Sequence, residues 1–337
     1  MFRANLERTG VYPSGGPEKL SELAWSFRTG AVIYASPTIA GGVVYLGSLD
    51  TYLYALDANN GQERWKFETG DMVGSSAAVA NGVVYFGSCD GYLYALDANN
   101  GQQRWRFQTA DWVVPAPAVS GGVVYFGSDD SYVYAVDAST GQQKWRYQTE
   151  DWVRSSPAVS GGVVYIGSED GYLYALDANT GQLRWRFQTA DYVDSSPAIA
   201  DGVVYVGSDD GYLYAIDART GQQKWRFRTN DWIRSSPAVA DGVVYVGSDD
   251  GYLYAVDART GQEKWRFQTE DWIRSSPSLS GGVVYIGSDD GHLYAVDTRT
   301  GQERWKYRTN DWVRTSPAIA GGIVYIGSDD GSLYAIK

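Results

Sequence analysis

The chain has 337 residues, a net charge of −12, and a heavy load of 13 Trp, 27 Tyr and 40 Gly, which suits many strands joined by tight turns. The acidic balance argues against nucleic acid and anionic membrane surfaces as partners, and no segment reaches the ~18 consecutive apolar residues of a membrane span. One cysteine, Cys89, and one histidine, His292, exclude an intrachain disulfide and a His-rich zinc site, and leave no workable Ser-His-Asp or Cys-His nucleophile.

Residues 1–23 read as a lead-in. Met1 to Gly10 has no apolar core and is not a signal peptide. Residues 24–29, with Trp25 and Phe27 set against polar neighbours, predict one isolated strand. From residue 30 to 337 the chain repeats every 40 residues without an insertion: Val44-Tyr45 returns as Val84-Tyr85 and so on to Val324-Tyr325. A tryptophan keeps the same period from Trp25 to Trp305, and residues 201–240 and 241–280 differ at only seven positions.

One unit shows how a repeat folds. Residues 235–240 are extended, 243–248 are β-branched and aromatic, 252–257 form another such run, and 262–269 alternate Trp265 and Phe267 with charged residues. Asp249-Asp250-Gly251 between the second and third runs is a hairpin signal. The second and third strands are apolar on both faces, as expected where a sheet is sandwiched between two others. The fourth carries Lys, Arg, Glu and Gln, which suits an outer edge. Helical solenoids of similar period are excluded by the absence of a 3.6-residue pattern. The copies of strands one to three and the copies of strand four are out of phase. The chain ends after a third strand, at Lys337, and begins with an orphan fourth strand at 24–29. Pairing the two gives an all-β, eight-bladed β-propeller, four antiparallel strands per blade, with the N-terminal strand closing the last blade and the whole of 1–337 in a single domain.

The segment Ala55-Leu56-Asp57-Ala58-Asn59-Asn60-Gly61-Gln62-Glu63-Arg64-Trp65 resembles the tryptophan-docking motif of PQQ-like propeller repeats. Closer copies run from Ala175 to Trp185 and from Ala215 to Trp225, where Thr180 or Thr220 precedes the glycine; Asn60 and Asn100 depart from that threonine. Phe2 to Gly10 is similar to the lead-in of such proteins. WD40 repeats fit worse, because their Gly-His signature is missing. The resemblance implies that the motif tryptophans wedge against the neighbouring blade. It spans three kinds of protein: quinoprotein dehydrogenases, the barrel-assembly lipoprotein BamB, and sensor domains of bacterial Ser/Thr kinases. A periplasmic or extracellular location follows from the resemblance alone. The dehydrogenases need calcium-held PQQ, a catalytic carboxylate and, commonly, adjacent cysteines. With Cys89 alone, no asymmetric carboxylate cluster and no insertion for a lid, neither PQQ nor calcium nor catalysis is expected, and fold alone does not assign function.

The expected function is a non-catalytic binding module, a monomeric scaffold or sensor, using one loop face. The loops between blades read Asp-Trp-Val/Ile-Arg, and the second-to-third-strand turns, with Asp130 to Asp330 at the same period, point the same way. Trp112, Trp152, Trp232, Trp272 and Trp312 are candidate interface anchors, since Trp and Arg dominate binding hot spots. Arg154, Arg234, Arg274 and Arg314, interrupted by Asp194, are candidate ligands for a small anion at the channel mouth, because guanidinium forks match carboxylate and phosphate. That arc predicts a mouth basic on one side. The competing reading pairs each Arg with a turn aspartate and lets each Trp cover a seam. Partners are thus a protein, or a small anionic or glycan ligand. His292 reads as a packing substitute for tyrosine, and Cys89, in a turn where Asp249 stands in a later repeat, as a neutral drift, with an oxidisable thiol the alternative if it is semi-exposed.

Overall fold

The structure, a computed structural model, describes residues 4–13 and 15–337. Phe2 and Arg3 of the expected lead-in motif lie outside these. The described residues form no helix; they make eight four-stranded antiparallel sheets. Blade 1 is Thr38–Ala40, Val43–Gly47, Tyr52–Asp57 and Glu63–Glu68, innermost strand first, and blades 2 to 7 repeat it at intervals of 40. Blade 8 takes Ala318–Ala320, Ile323–Gly327 and Ser332–Ile336 from the C-terminal end and Leu23–Arg28 from the N-terminal end. Trp25 pairs with Ala335, Ser26 with Tyr334 and Phe27 with Leu333. The expected closure is therefore observed.

The inner strand is shorter than the extended run at 235–240 suggests, covering only Ala238–Ala240. The three residues before it are used otherwise. Ser236 N–H donates to Ser276 Oγ at 3.0 Å, Ser276 N–H to Ser316 Oγ at 3.1 Å, and Ser316 N–H to Ser36 Oγ at 2.8 Å. This belt of hydroxyls passes from blade to blade around the channel and breaks where Ala116 replaces serine.

Each seam is sealed by apolar side chains from two sheets. Between blades 8 and 1, Tyr325, Leu333 and Ala335 meet Val44, Leu46 and Leu56, all buried. Full burial of one such side chain is worth about 1.5–3 kcal/mol, which is why strands two and three are apolar on both faces. The motif tryptophans clamp the seam from outside. Trp65 Nε1 donates to the Ala98 carbonyl of the next blade at 3.2 Å, and its ring fills the space beside Gly101. A Cβ there would sit 2.6 Å from the ring, and the glycine has φ +71°, so the position takes glycine for both reasons.

At blade 8 the lead-in supplies the carbonyl that, in blade 2, comes from Ala98 in the turn after the third strand. Trp305 Nε1 and the Tyr285 hydroxyl both donate to Pro17 O, at 2.9 and 3.0 Å. Upstream, the lead-in runs along consecutive inner strands. The carbonyls of Leu6, Glu7, Thr9 and Gly10 accept from the N–H groups of Val159, Ile199, Val239 and Leu279, one inner strand from each of blades 4 to 7. Arg8 is buried here. Its Nε donates to Pro157 O at 2.6 Å and its Nη2 to Ala116 O at 3.0 Å, at the break in the serine belt.

Candidate interaction face and channel mouth

The loops joining blades and the second-to-third-strand turns share one face, locked by backbone bonds such as Asp249 N–H to Trp232 O at 2.9 Å. In blades 3 to 8 each turn begins with two acids, and they do different work. The second is a staple. Asp250 accepts from Tyr252 N–H (3.0 Å), the Tyr254 hydroxyl (2.7 Å) and Asn230 N–H (2.9 Å). The aspartates expected to line the face, Asp130 to Asp330, are consumed this way. The acids that meet the arginines are their neighbours one residue earlier, which the sequence reading passed over.

Every arginine of the candidate series sits on such a carboxylate from the preceding blade. Arg154 reaches Asp129 at 2.9 Å, Arg234 reaches Asp209 at 2.9 Å, Arg274 reaches Asp249 at 3.1 Å and Arg314 reaches Asp289 at 3.0 Å. Nε and Nη2 of each are engaged together. The guanidinium edges an anion would use are held by carboxylates, and the basic arc expected at the mouth is neutralised.

The loop aromatics are open. Trp112, Trp152, Tyr192, Trp232, Trp272 and Trp312 are each 40–44% exposed. In four of them the following arginine lies against the ring, with its guanidinium carbon 4.0–4.3 Å from the centroid. The backbone N–H of Trp272 is fixed by Asp271 Oδ1 at 2.8 Å, as in the other Trp loops. Carboxylate, guanidinium and indole thus form a rigid three-part stack whose outer ring face meets solvent. Tyr192 belongs to the same annulus and was missed because it is not a tryptophan.

The family profile of the outer membrane protein assembly factor BamB matches residues 20–110, 49–191, 169–277 and 269–337. The chain belongs to this family. No curated protein matches the sequence. Among solved structures, BamB from Moraxella catarrhalis is similar at 22% identity and TM-score 0.81, over 94% of this chain and 97% of that one. The computationally designed Ika8 protein is similar at 21% and 0.83, over 94% and 99%. A quinohemoprotein alcohol dehydrogenase, ADHIIG of Pseudomonas putida HK5, is similar at 19% and 0.86, over 99% of this chain and 79% of that one. At these identities the likeness carries the fold.

The residues of the family fold here do not fit a calcium-held quinone. Four of the mouth carboxylates are bound by arginines, and among the described residues no three His, Cys, Asp or Glu side chains gather as a cation's ligands. Cys89 is buried, and burial, helped by Asp71, pushes its thiol up to about 11, so the oxidisable thiol considered from sequence is instead protected. His292 Nδ1 lies 3.1 Å from Asp290 Oδ1 and its ring packs on Tyr294, as expected of a tyrosine substitute.

Four seams lack the arginine, with Tyr34, Gly74, Val114 and Asp194 at its position, and of these the Asp194 seam alone sets a second acid there. Where the pattern calls for Arg against the acid 25 residues earlier, Asp194 faces Glu169. Burial and then Asp209 push Asp194 up to about 6; Arg234, Arg154 and Asp129 also act on it. Burial and then Asp194 push Glu169 up to about 7, with Arg154 Nη1 at 3.4 Å opposing and Asp129 and Asp151 adding. Both groups hold their protons more tightly folded than unfolded. Their contribution to stability is therefore full below about pH 4 and is lost as pH rises through about 6 to 7. Asp194→Arg restores the pair. Thermal melting followed by circular dichroism should show the variant more stable at pH 8, by about 1–4 °C, with the gap closing towards pH 5. A gap independent of pH would contradict the assignment.

Proposed function

We propose that this chain is a non-catalytic binding scaffold that docks a protein partner on its aromatic loop face. One observation carries the reading: six aromatic rings, each 40–44% exposed, stand in one annulus, four of them braced from beneath by paired arginines. Rigid aromatics in such numbers are costly to leave in water and are the anchors that protein interfaces favour. A relative named as an outer membrane protein assembly factor fits a scaffold at the outer membrane, outside the cytoplasm. Trp152, Trp232, Trp272 and Trp312 are the contact residues, with Trp112 and Tyr192 in the same arc and Val32 and Met72 at the two remaining positions. Arg154, Arg234, Arg274 and Arg314 serve as braces, not as anion ligands. No quinone, calcium ion or other cofactor takes part.

A photo-crosslinking residue tests this. Placed at Trp272 in cells, it should give a discrete protein adduct; placed at Asp241, on the opposite face, it should give none. Adducts of equal yield from both positions, or none from Trp272, would refute the docking face.

A further inference from the structure

The charge of the molecule is divided by face. The loops that follow the outer strands (residues 28–37 and each 40 beyond) and the second-to-third-strand turns (48–51 and each 40 beyond) carry 25 carboxylates and seven arginines. The rest of the sequence carries 15 acids against 21 lysines and arginines. The aromatic face is thus net −18 and the remainder net +6. A field of that sign steers cations inward and repels phosphate, acidic glycans and acidic proteins.

The face also displays, four times over, how it binds a guanidinium. Arg234 is held between the Trp232 ring at 4.3 Å and Asp209 at 2.9 Å, and blades 4, 7 and 8 repeat the arrangement. The seam between blades 4 and 5 has the same parts without the arginine. Tyr192 stands at the ring position, 43% exposed, with Glu169 at the acid position and Asp194 where the arginine would be. Asp194 Oδ1 is buried without a hydrogen-bond partner among the described residues, as are Oδ1 of Asp209, Asp249 and Asp329. Ring and carboxylates together suit a cationic side chain, whose stem packs on the aromatic while its head meets the acids.

We propose that the partner docks through a Lys/Arg-rich segment, with one arginine entering the blade 4–5 seam against Tyr192, Glu169 and Asp194. This rests on the docking-face reading above and adds the partner's chemistry. A metal ion is a poorer occupant, because no three ligating side chains converge among the described residues. A neutral glycan gains nothing from the field.

Fluorescein-labelled nona-arginine is the probe, with nona-glutamate as control, titrated by anisotropy at low and high salt. Nona-arginine should bind with an affinity that falls steeply with salt, and nona-glutamate should not bind. Asp194→Arg, which fills the seam from within, should weaken nona-arginine about tenfold or more. Trp232→Ala with Trp272→Ala should do the same, with circular dichroism confirming the fold. Asp201→Asn with Asp241→Asn changes net charge by the same two units as Asp194→Arg, but on the opposite face, and should leave affinity within about twofold. Equal weakening by the two charge-matched changes would mean charge attraction alone and would overturn the seam. Absence of binding by nona-arginine, with crosslinks still formed from Trp272, would overturn the basic partner and leave the docking face standing. Absence of those crosslinks would remove the docking face itself.

Discussion

Deleting residues 1–30 should abolish cooperative melting near the parent temperature, lowering it by more than about 20 °C. The deletion takes the outer strand of blade 8, and with it Trp25, whose Nε1 bonds Ala58 O of blade 1 at 3.1 Å, and Phe27, which packs edge-on to Tyr54. Loss of a fully buried aromatic costs about 3–5 kcal/mol, and these two are partly buried, so each costs less; together with the strand ladder they still take much of the 5–15 kcal/mol margin of a folded domain. It also takes Pro17 O, leaving Trp305 and Tyr285 without their acceptor. The exposed edge of Ser332–Ile336 then invites pairing between molecules, so size-exclusion chromatography should show oligomers. A monomer melting within about 2 °C of the parent would mean that the ring does not depend on this seam.

Arg8→Ala should lower the melting temperature by about 5–10 °C, from a loss of about 3–5 kcal/mol. The guanidinium is buried and donates to the carbonyls of Pro157 and Ala116, which would be left without it inside the channel. Arg8→Lys should fall between, because an ammonium is a compact point charge without the planar fork that reaches two separate acceptors. Hydrogen exchange gives a sharper readout than melting. The amides of Val159, Ile199, Val239 and Leu279 are held by lead-in carbonyls and should lose protection together, while third-strand amides such as Leu213 and Leu253 should not. Unchanged exchange at those four amides would show that Arg8 does not hold the lead-in in place.

What could be read from the sequence followed its periodicity. A period of 40, doubly apolar middle strands and a fourth strand out of phase with the rest suffice to place Trp25 beside Ala335. Periodicity failed where two adjacent residues of one type do different jobs. Asp249 and Asp250 look equivalent in a turn, yet the second is turned inward to Tyr254 and only the first meets Arg274. It also failed for the lead-in, which has no repeat to align with. Its partners are backbone amides on the inner strands, which leave no mark in side-chain pattern. The offset of 25 between arginine and acid was available in the sequence, and it would have exposed the Glu169–Asp194 mismatch directly.

The serine belt bears on how the molecule counts. Near-identical units offer a folding chain many interchangeable neighbours, and a circle missing one unit would satisfy most local contacts as well. Two features break that degeneracy: the gap at Ala116, into which Arg8 reaches, and the single outer strand at Leu23–Arg28 that only the final unit lacks. The head of the polypeptide therefore acts as a ruler. It marks which spoke is third and which is last, and it makes an arrangement with any other number of spokes leave a charged side chain and a sheet edge unmatched at once.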